Sequence, residues 1–251
     1  MTVDRAARRR TVAIIQARMT STRLPGKVLL PAVGTPLLQL MIERLRRAER
    51  LDDVWVATTD QPASDPIEAL ARELGAGCFR GSEDDVLSRV LGTAEAAGAD
   101  VIVETTGDCP LIDPAVVDRV VDAFLAGDVD YASNVLRRTY PRGLDTQVFP
   151  TAVLAEVDAL TQDLADREHV SLYIYEHPER YRLRNVESGH AESAELRLTV
   201  DTPEDLELVR EVFAALHPAN PAFGLEDMLA LFRERPELAA INREIRQKPA
   251  R

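Results

Sequence analysis

From Thr11 to about Leu216, short aliphatic runs alternate with longer stretches whose apolar positions recur every three or four residues. Thr11 to Ala17 predicts a buried strand, and Leu37, Leu38, Met41, Leu45 and Ala48 place an apolar stripe on a helix that begins after Pro36. Further strands are predicted at Val54 to Thr58, Gly77 to Arg80 and Val101 to Thr105. Asp65-Pro66 opens a helix ending near Gly75, Ser82 with Asp85 opens one that runs to Gly98, and Asp113-Pro114 opens one closed by Gly127. This alternation predicts an α/β fold, a Rossmann-like mixed and mostly parallel sheet flanked by helices on both faces.

After Tyr131 the rhythm changes. A strand is expected at Asp145 to Phe149, a helix at Thr151 to Leu160, a mixed polar and aromatic helix at Asp166 to Glu176, and strands at Tyr181 to Val186 and Leu196 to Val200. The last strand feeds Asp201-Thr202-Pro203, a turn into a helix at Glu204 to Leu216. The expected organisation is a flexible basic leader (1–10), one body (11–217) and a helical tail packed on it (218–251).

Composition narrows the function classes. A chain of 251 residues, 45% hydrophobic and 29% charged, suits one soluble body. No apolar run approaches the roughly 20 residues that span a bilayer, and the amino end lacks a signal-peptide core, so a cytoplasmic protein without a membrane partner is expected. Net charge is −12, and since Arg5, Arg8, Arg9 and Arg10 against Asp4 give the first ten residues +3, the rest carries −15. That balance argues against nucleic acid as a partner. Cys78 and Cys109 have no CxxC partner and predict no disulfide framework.

Against this acidic background, the segment Ile14 to Leu29 stands out: IIQARMTSTRLPGKVL carries Arg18, Arg23 and Lys27 in one loop after a buried strand. Cations, small hydroxyl residues and a Pro-Gly pair at a strand's carboxyl end suit a polyanion. Only two of the 30 basic residues are lysines, Lys27 and Lys248, so a lysine inside this loop points to a demand of the site for a compact, mobile charge. Other predicted strands end in Thr58-Thr59-Asp60, in Gly107-Asp108-Cys109-Pro110 and in Asp201. Two carboxylates at strand ends, completed by phosphate and water oxygens, match what Mg²⁺ prefers. The ordinary alternatives stay open: Asp201 as a helix cap and Asp108 as a turn former. Walker A, GxGxxG, metal-spaced His pairs and a Gly-x-Ser-x-Gly elbow are missing.

The IIQARMTSTRLPGKVL segment, GDCPLID (Gly107 to Asp113) and VDTPEDLE (Val200 to Glu207) resemble the cytidylyltransferases related to CMP-KDO synthetase, closest to the SpsF-like, spore-coat-polysaccharide branch. GSEDDVLSRV (Gly81 to Val90), PRGLDTQVF (Pro141 to Phe149) and EHVSLYIYEHPERY (Glu168 to Tyr181) extend the likeness across most of Thr11 to Leu216. The resemblance implies a nucleotide-diphospho-sugar transferase type of fold and a CTP-dependent nucleotidyltransferase. An acceptor attacks the α-phosphorus of CTP, pyrophosphate leaves, and a CMP-linked sugar or sugar acid forms for surface polysaccharide biosynthesis. Arg18, Arg23, Lys27 and Asp108 would be catalytic, with Asp108 and Asp201 holding Mg²⁺. Nucleotide contacts would come from Gln16, Ala17, Thr58, Thr59, Gly81, Ser82 and Gly107 beside the three cations. Arg142, Asp145, His169 and Tyr173 are the candidates for a sugar, sugar-acid or phosphate-type acceptor, and the family implies a homodimer.

Gln16 stands where the KDO branch has proline, and Thr106-Gly107-Asp108-Cys109-Pro110 replaces its QGDEP, which leaves the acceptor open. Two other readings are carried: a glycosyltransferase of GT-A-like fold using Asp128-Val129-Asp130, and a nucleotide-binding protein without turnover.

Overall fold

A computed structural model describes residues 9–247. Residues 1–8 of the expected leader and Lys248 lie outside the described residues. Arg10, placed in the leader from sequence, is held: its N–H donates to Asp100 Oδ2 (2.7 Å), its Nε to the Ala97 carbonyl (2.9 Å) and its Nη2 to Asp53 Oδ2 (2.8 Å).

Four parallel strands form the centre: β1 (Thr11–Gln16), β4 (Asp53–Thr59), β5 (Gly77–Gly81) and β6 (Val101–Thr106). β7 (Tyr131–Ser133), β8 (Gln147–Pro150) and β9 (Leu183–Asn185) complete a seven-stranded sheet in the order β5-β4-β1-β6-β8-β7-β9, with β8 antiparallel to both neighbours. The direction of winding reverses between β1 and β6, and the crevice at such a reversal is where open α/β sheets bind ligands. A small hairpin, β2 (Pro31–Ala32) and β3 (Thr35–Pro36), turns through Val33 and Gly34, both at positive φ.

Alternation along β1 builds the two layers. Ala13 and Ile15 pack under α1 (Leu37–Leu45), α2 (Asp65–Glu73) and α4 (Pro114–Leu125). Val12 and Ile14 face α3 (Val86–Ala97), α5 (Thr151–Leu160) and α7 (Leu172–Glu176). A third cluster joins Leu198 and Val200 to α8 (Pro203–Leu216) and α9 (Leu225–Glu234). Buried Arg44 fastens α9's approach to the body: it donates to the carbonyls of Ile112 (2.7 Å) and Phe223 (2.9 Å) and lies over the Phe223 ring.

Three sequence expectations are corrected. Leu196 to Val200 is no sheet strand: apart from one bridge, Arg142 to Arg197, its backbone bonds run to loops, with Leu198 N–H donating to Arg142 O (2.7 Å) and Val200 N–H to Asp108 O (2.8 Å). The helix expected from Asp166 to Glu176 is two short ones, α6 (Leu164–Glu168) and α7, parted at Val170 with φ 49°. Val170 is fully buried and Ser171 Oγ donates to Gln147 Oε1 (2.8 Å), so tertiary contacts override the local helical pattern. Finally, Asp85 rather than Ser82 caps α3, accepting from Ser88 N–H at 3.0 Å.

One buried carboxyl interrupts the apolar sheet. Glu104 on β6 is 3% exposed, accepts from Gln16 Nε2 at 2.7 Å and leaves Oε2 without a partner. Burial pushes its carboxyl up to about 8 from 4.5. The unfolded chain therefore releases this proton near pH 4.5 while the folded chain keeps it to about 8, so Glu104 progressively lowers stability as pH rises through that window. Replacing it by an uncharged isostere removes the penalty. Thermal melts of Glu104→Gln are expected to match wild type near pH 4.5 and to exceed it at pH 8 by about 2 kcal/mol or more, roughly 4–8 °C; equal melting curves at both pH values would show that Glu104 ionises freely.

Candidate active site

The loop after β1 folds back on itself before reaching Lys27. Gly26, at φ 68°, donates its N–H to Met19 O (2.9 Å) and turns the chain into a short 3-10 helix, Lys27–Leu29. The end of β6 is pinned beside it, because Gly107 N–H donates to Gln16 O at 2.8 Å, an approach in which a Cβ on Gly107 would meet that oxygen at 2.9 Å. The bond from Val200 N–H to Asp108 O then draws in the segment carrying Asp201. Three distant parts of the chain meet there.

Lys27 Nζ lies 2.8 Å from Asp201 Oδ1 and 3.5 Å from Asp108 Oδ2. Arg23 Nη2 (3.0 Å) and Arg197 Nη2 (2.6 Å) hold the other Asp201 oxygen. Burial would raise the Asp201 carboxyl, but Lys27, Arg23 and Arg197 together hold it below its usual range. Behind it, fully buried Asp205 accepts from Arg197 Nε (3.0 Å), Asn242 Nδ2 (2.8 Å) and the N–H groups of Asp201 (3.0 Å) and Thr202 (3.1 Å). Asp201 is thus an oriented carboxylate rather than a cap. The capping of α8 falls to Thr202, whose Oγ1 accepts from Asp205 N–H.

These groups border a cleft of about 310 Å³ at the β1–β6 crevice. Of the residues singled out from sequence, Gln16, Ala17, Arg18, Arg23, Lys27, Gly107, Asp108, His169 and Asp201 line it. The others are elsewhere. Thr58 is buried, and Thr59 is buried with its hydroxyl bonded to Ser64 Oγ (2.8 Å), so neither reaches the wall. Gly81 and Ser82 flank the cleft without lining it, Gly81 packing on Phe79 and Arg89. Asp145 forms a two-pronged ion pair with Arg138 (2.6 and 2.8 Å) and Tyr173 stacks on His177 at 3.9 Å. Arg142 borders a second cavity, of about 460 Å³, on the far side of Arg197. Apart from His169, the proposed acceptor contacts are therefore not in the cleft wall; the side chains of Asp145 and Tyr173 are taken up by neighbours.

Several lining residues were not read from sequence: Ser21, Thr22, Thr106, Glu168, Gln247 and, most informatively, Arg89. Arg89 does carry a sequence signal, because it falls on the apolar face of α3 with Val86, Val90, Thr93 and Ala97, where a charge is out of place. Arg197 carries one too, sharing a side of the extended segment with Asp201.

The chemistry on offer is polyanion binding beside two carboxylates. Cys109 is buried with its thiol pushed well up by burial and by Asp108, which removes it as a nucleophile. Asp128 and Asp130, the alternative metal-binding pair, both bond Arg182 beyond the end of α4 and take no part in the cleft, which leaves the glycosyltransferase reading without a site. Among the described residues no group of three or more His, Cys, Asp or Glu is arranged to hold a metal by itself.

The chain's relatives share this architecture. A family model described as cytidylyltransferase matches residues 12–235. The spore coat polysaccharide biosynthesis protein SpsF of Bacillus subtilis is 36% identical over 238 residues, 92% of this chain and 97% of that protein. A solved cytidylyltransferase from Leptospira borgpetersenii superposes with a TM-score of 0.89 at 33% identity, over 96% of this chain and 100% of that one. CMP:2-keto-3-deoxy-manno-octonic acid synthetase, solved with CTP, shares the fold at a TM-score of 0.64 and 22% identity, over 82% of this chain and 99% of that one. With cations and paired carboxylates gathered at the sheet's crevice and the family pattern running through nearly the whole body, the chain belongs to the cytidylyltransferase family.

Proposed function

We propose that this cytidylyltransferase transfers CMP from CTP to a sugar or sugar-acid acceptor for surface polysaccharide synthesis, with Mg²⁺ as cofactor, as a cytoplasmic homodimer. The observation that carries the reading is the meeting of Lys27 with Asp108 and Asp201 in a cleft also lined by Arg18 and Arg23. In the reaction, an oxygen of the acceptor bonds to the α-phosphorus of CTP as any proton it carries passes to water, the bond to the bridging oxygen of the β-phosphate breaks, and pyrophosphate leaves with that electron pair. Such transfers need little covalent help from the protein; positioning and preorganised positive charge do most of it. Arg18, Arg23 and Lys27 bind the triphosphate and offset the charge that builds on the leaving oxygens.

The donor set suits Mg²⁺: two carboxylates from separate segments, both within reach of one ammonium, leaving the remaining positions to phosphate and water oxygens. Asp108 and Asp201 would hold the ion, which when bound neutralises phosphate charge. The acceptor assignment is supported by the SpsF relative and the octonic acid synthetase, whose names place them in polysaccharide and sugar-acid chemistry. Support for a dimer comes from two leucines at the α5–α6 corner, Leu160 (45% exposed) and Leu164 (84% exposed), beside the aromatic α7 segment.

Purified protein incubated with CTP, MgCl₂ and a panel of sugar acids and sugar phosphates is expected to release pyrophosphate with at least one acceptor, and chelation to abolish the release. CTP binding without turnover on any acceptor would favour the reading as a non-catalytic nucleotide binder. Lys27→Ala is expected to lower kcat by about 10² to 10³. Its melting temperature should stay within a few degrees, because Arg23 and Arg197 still hold Asp201; parallel loss of stability and activity would make Lys27 a structural residue. Sedimentation should report a dimer for wild type and a monomer for Leu164→Asp, and an unchanged mass would move the interface elsewhere.

A further inference from the structure

Arg89 is the cleft residue least explained as structure. It enters from the first turn of α3, is 2% exposed, and uses one nitrogen, Nη1, on the backbone carbonyls of Ser82 and Glu83. Its Nε is buried without a partner, and no hydrogen bond of Nη2 is seen among the described residues, although that nitrogen is not one of the fully buried, partnerless atoms. A buried guanidinium nitrogen left without a partner is destabilising, and such groups persist where something outside the folded chain completes them. Burial first, and then the neighbouring Arg18, pull this guanidinium down to about 10, against the opposing influence of Glu83, Asp85 and Asp60. The nearest carboxylate, Glu83, is shared: its Oε1 is 3.9 Å from Arg18 Nη1 and it accepts from the Thr20 hydroxyl, while its own carbonyl is held by Arg89.

The three loop cations differ from Arg89 in this respect. Lys27 and Arg23 already face Asp108 and Asp201, so much of their charge is balanced before any ligand arrives. Arg18 and Arg89 form the under-neutralised end of the cleft, one from the loop after β1 and the other from α3. Two guanidiniums converging from different elements match the planar, multidentate recognition of a phosphate group better than a neutral base edge or a sugar hydroxyl.

We infer that Arg89 is a nucleotide-binding residue that grips the phosphate chain of the nucleotide opposite Arg18, a role that rests on the cytidylyltransferase reading and adds to it a cation from outside the Arg18 to Lys27 loop. The same guanidinium orders the Ser82–Glu83 turn, so nucleotide binding and the shape of that turn are linked through one side chain.

The test is calorimetric, with CTP, cytidine and inorganic tripolyphosphate as three separate probes on wild type, Arg89→Lys and Arg89→Met, each first checked by thermal melt and circular dichroism. In both variants the affinity for CTP and for tripolyphosphate is expected to fall together by about 10- to 100-fold, less in the lysine variant, with cytidine binding unchanged. If CTP affinity stays within twofold of wild type in folded Arg89→Lys and Arg89→Met, the proposal is overturned and Arg89 only staples the turn. If cytidine binding weakens as much as CTP binding while tripolyphosphate is unaffected, the proposal is also overturned, since the residue then serves the base through the turn. Failure of wild type to bind CTP at all would instead sink the functional reading from which the inference starts, and is told apart by that first titration. Should both variants unfold, the Arg18→Gln/Arg23→Gln double variant, in which Arg89 is intact, decides the matter: the salt dependence of its tripolyphosphate affinity should keep a slope larger than the roughly one contact that Lys27 alone supplies, and a slope of about one or less rejects the inference.

Discussion

Asp108 and Asp201 are drawn together by backbone contacts, and the cations between and around them make that approach tolerable. Two carboxylates within reach of the same ammonium repel one another, and bringing them from chain positions 93 residues apart (201 minus 108) would be unfavourable without Lys27 and the guanidiniums of Arg23 and Arg197. The arrangement is held from below by the bonds of Val200 to Asp108 and of Gly107 to Gln16, which involve backbone groups and are independent of charge. Backbone geometry sets the distance and the cations make that distance tolerable. The consequence for function is that the site is built ionised: Asp201 is kept charged by its partners, and the charges a phosphate chain meets are in place before it binds.

The Arg197–Asp205 pair shows why such a site can be rigid in a chain whose other ion pairs are mostly at the surface. Asp205 is fully buried, yet its oxygens accept from Arg197, Asn242 and two backbone N–H groups, so its desolvation is offset by hydrogen bonds from several elements. The start of α8, the tail residue Asn242 and the extended segment are joined by that one carboxylate. The tail beyond Leu216 is therefore part of the support for the cleft, and Gln247, which accepts from Arg197 at 2.6 Å and lines the cleft, extends the same support to the last described residue.

How much of this was legible follows the range of the interactions. The four parallel strands and the helices between them are written in local patterns, with caps such as Asp113 and Pro114 marking their starts, and these came through with boundaries shifted by a residue or two. The cation loop was legible because a strand end followed by Arg18, Arg23 and Lys27 is chemically unusual in an acidic chain. What failed were readings that treat a strand-like run as a sheet strand or a helical run as continuous. Leu196 to Val200 alternates like a strand, but its partners are loops at Arg142 and Asp108, and Asp166 to Glu176 reads as one helix until Val170 is drawn into the core. Thr58 and Thr59 end a strand as a binding pair would, yet Thr59 is consumed by Ser64, a contact five residues away that no periodicity encodes. Of the acceptor candidates His169 lines the cleft while Arg142, Asp145 and Tyr173 lie outside its wall, since polar residue type alone does not say which charge a side chain already has for a neighbour, as Asp145 has Arg138.

The buried ionisable groups near the cleft sort by what completes them. Glu104 has a partner for one oxygen and answers its burial by holding a proton, so its charge can vanish. Arg89 has no such escape, since a guanidinium lowered to about 10 is still charged at neutral pH. Two groups under the same desolvation thus settle differently: a neutral carboxyl on β6 costs the fold some stability at neutral pH and leaves the cleft's potential unaltered, whereas an obligate cation on α3 adds to that potential. In a chain of net charge −12, an anionic ligand is repelled by the molecule as a whole and attracted only where unbalanced cations outweigh the background. Lys27 and Arg23, shared with carboxylates, contribute less to that local excess than their number suggests, so the local excess of positive charge is greatest at the end of the cleft occupied by Arg18 and Arg89.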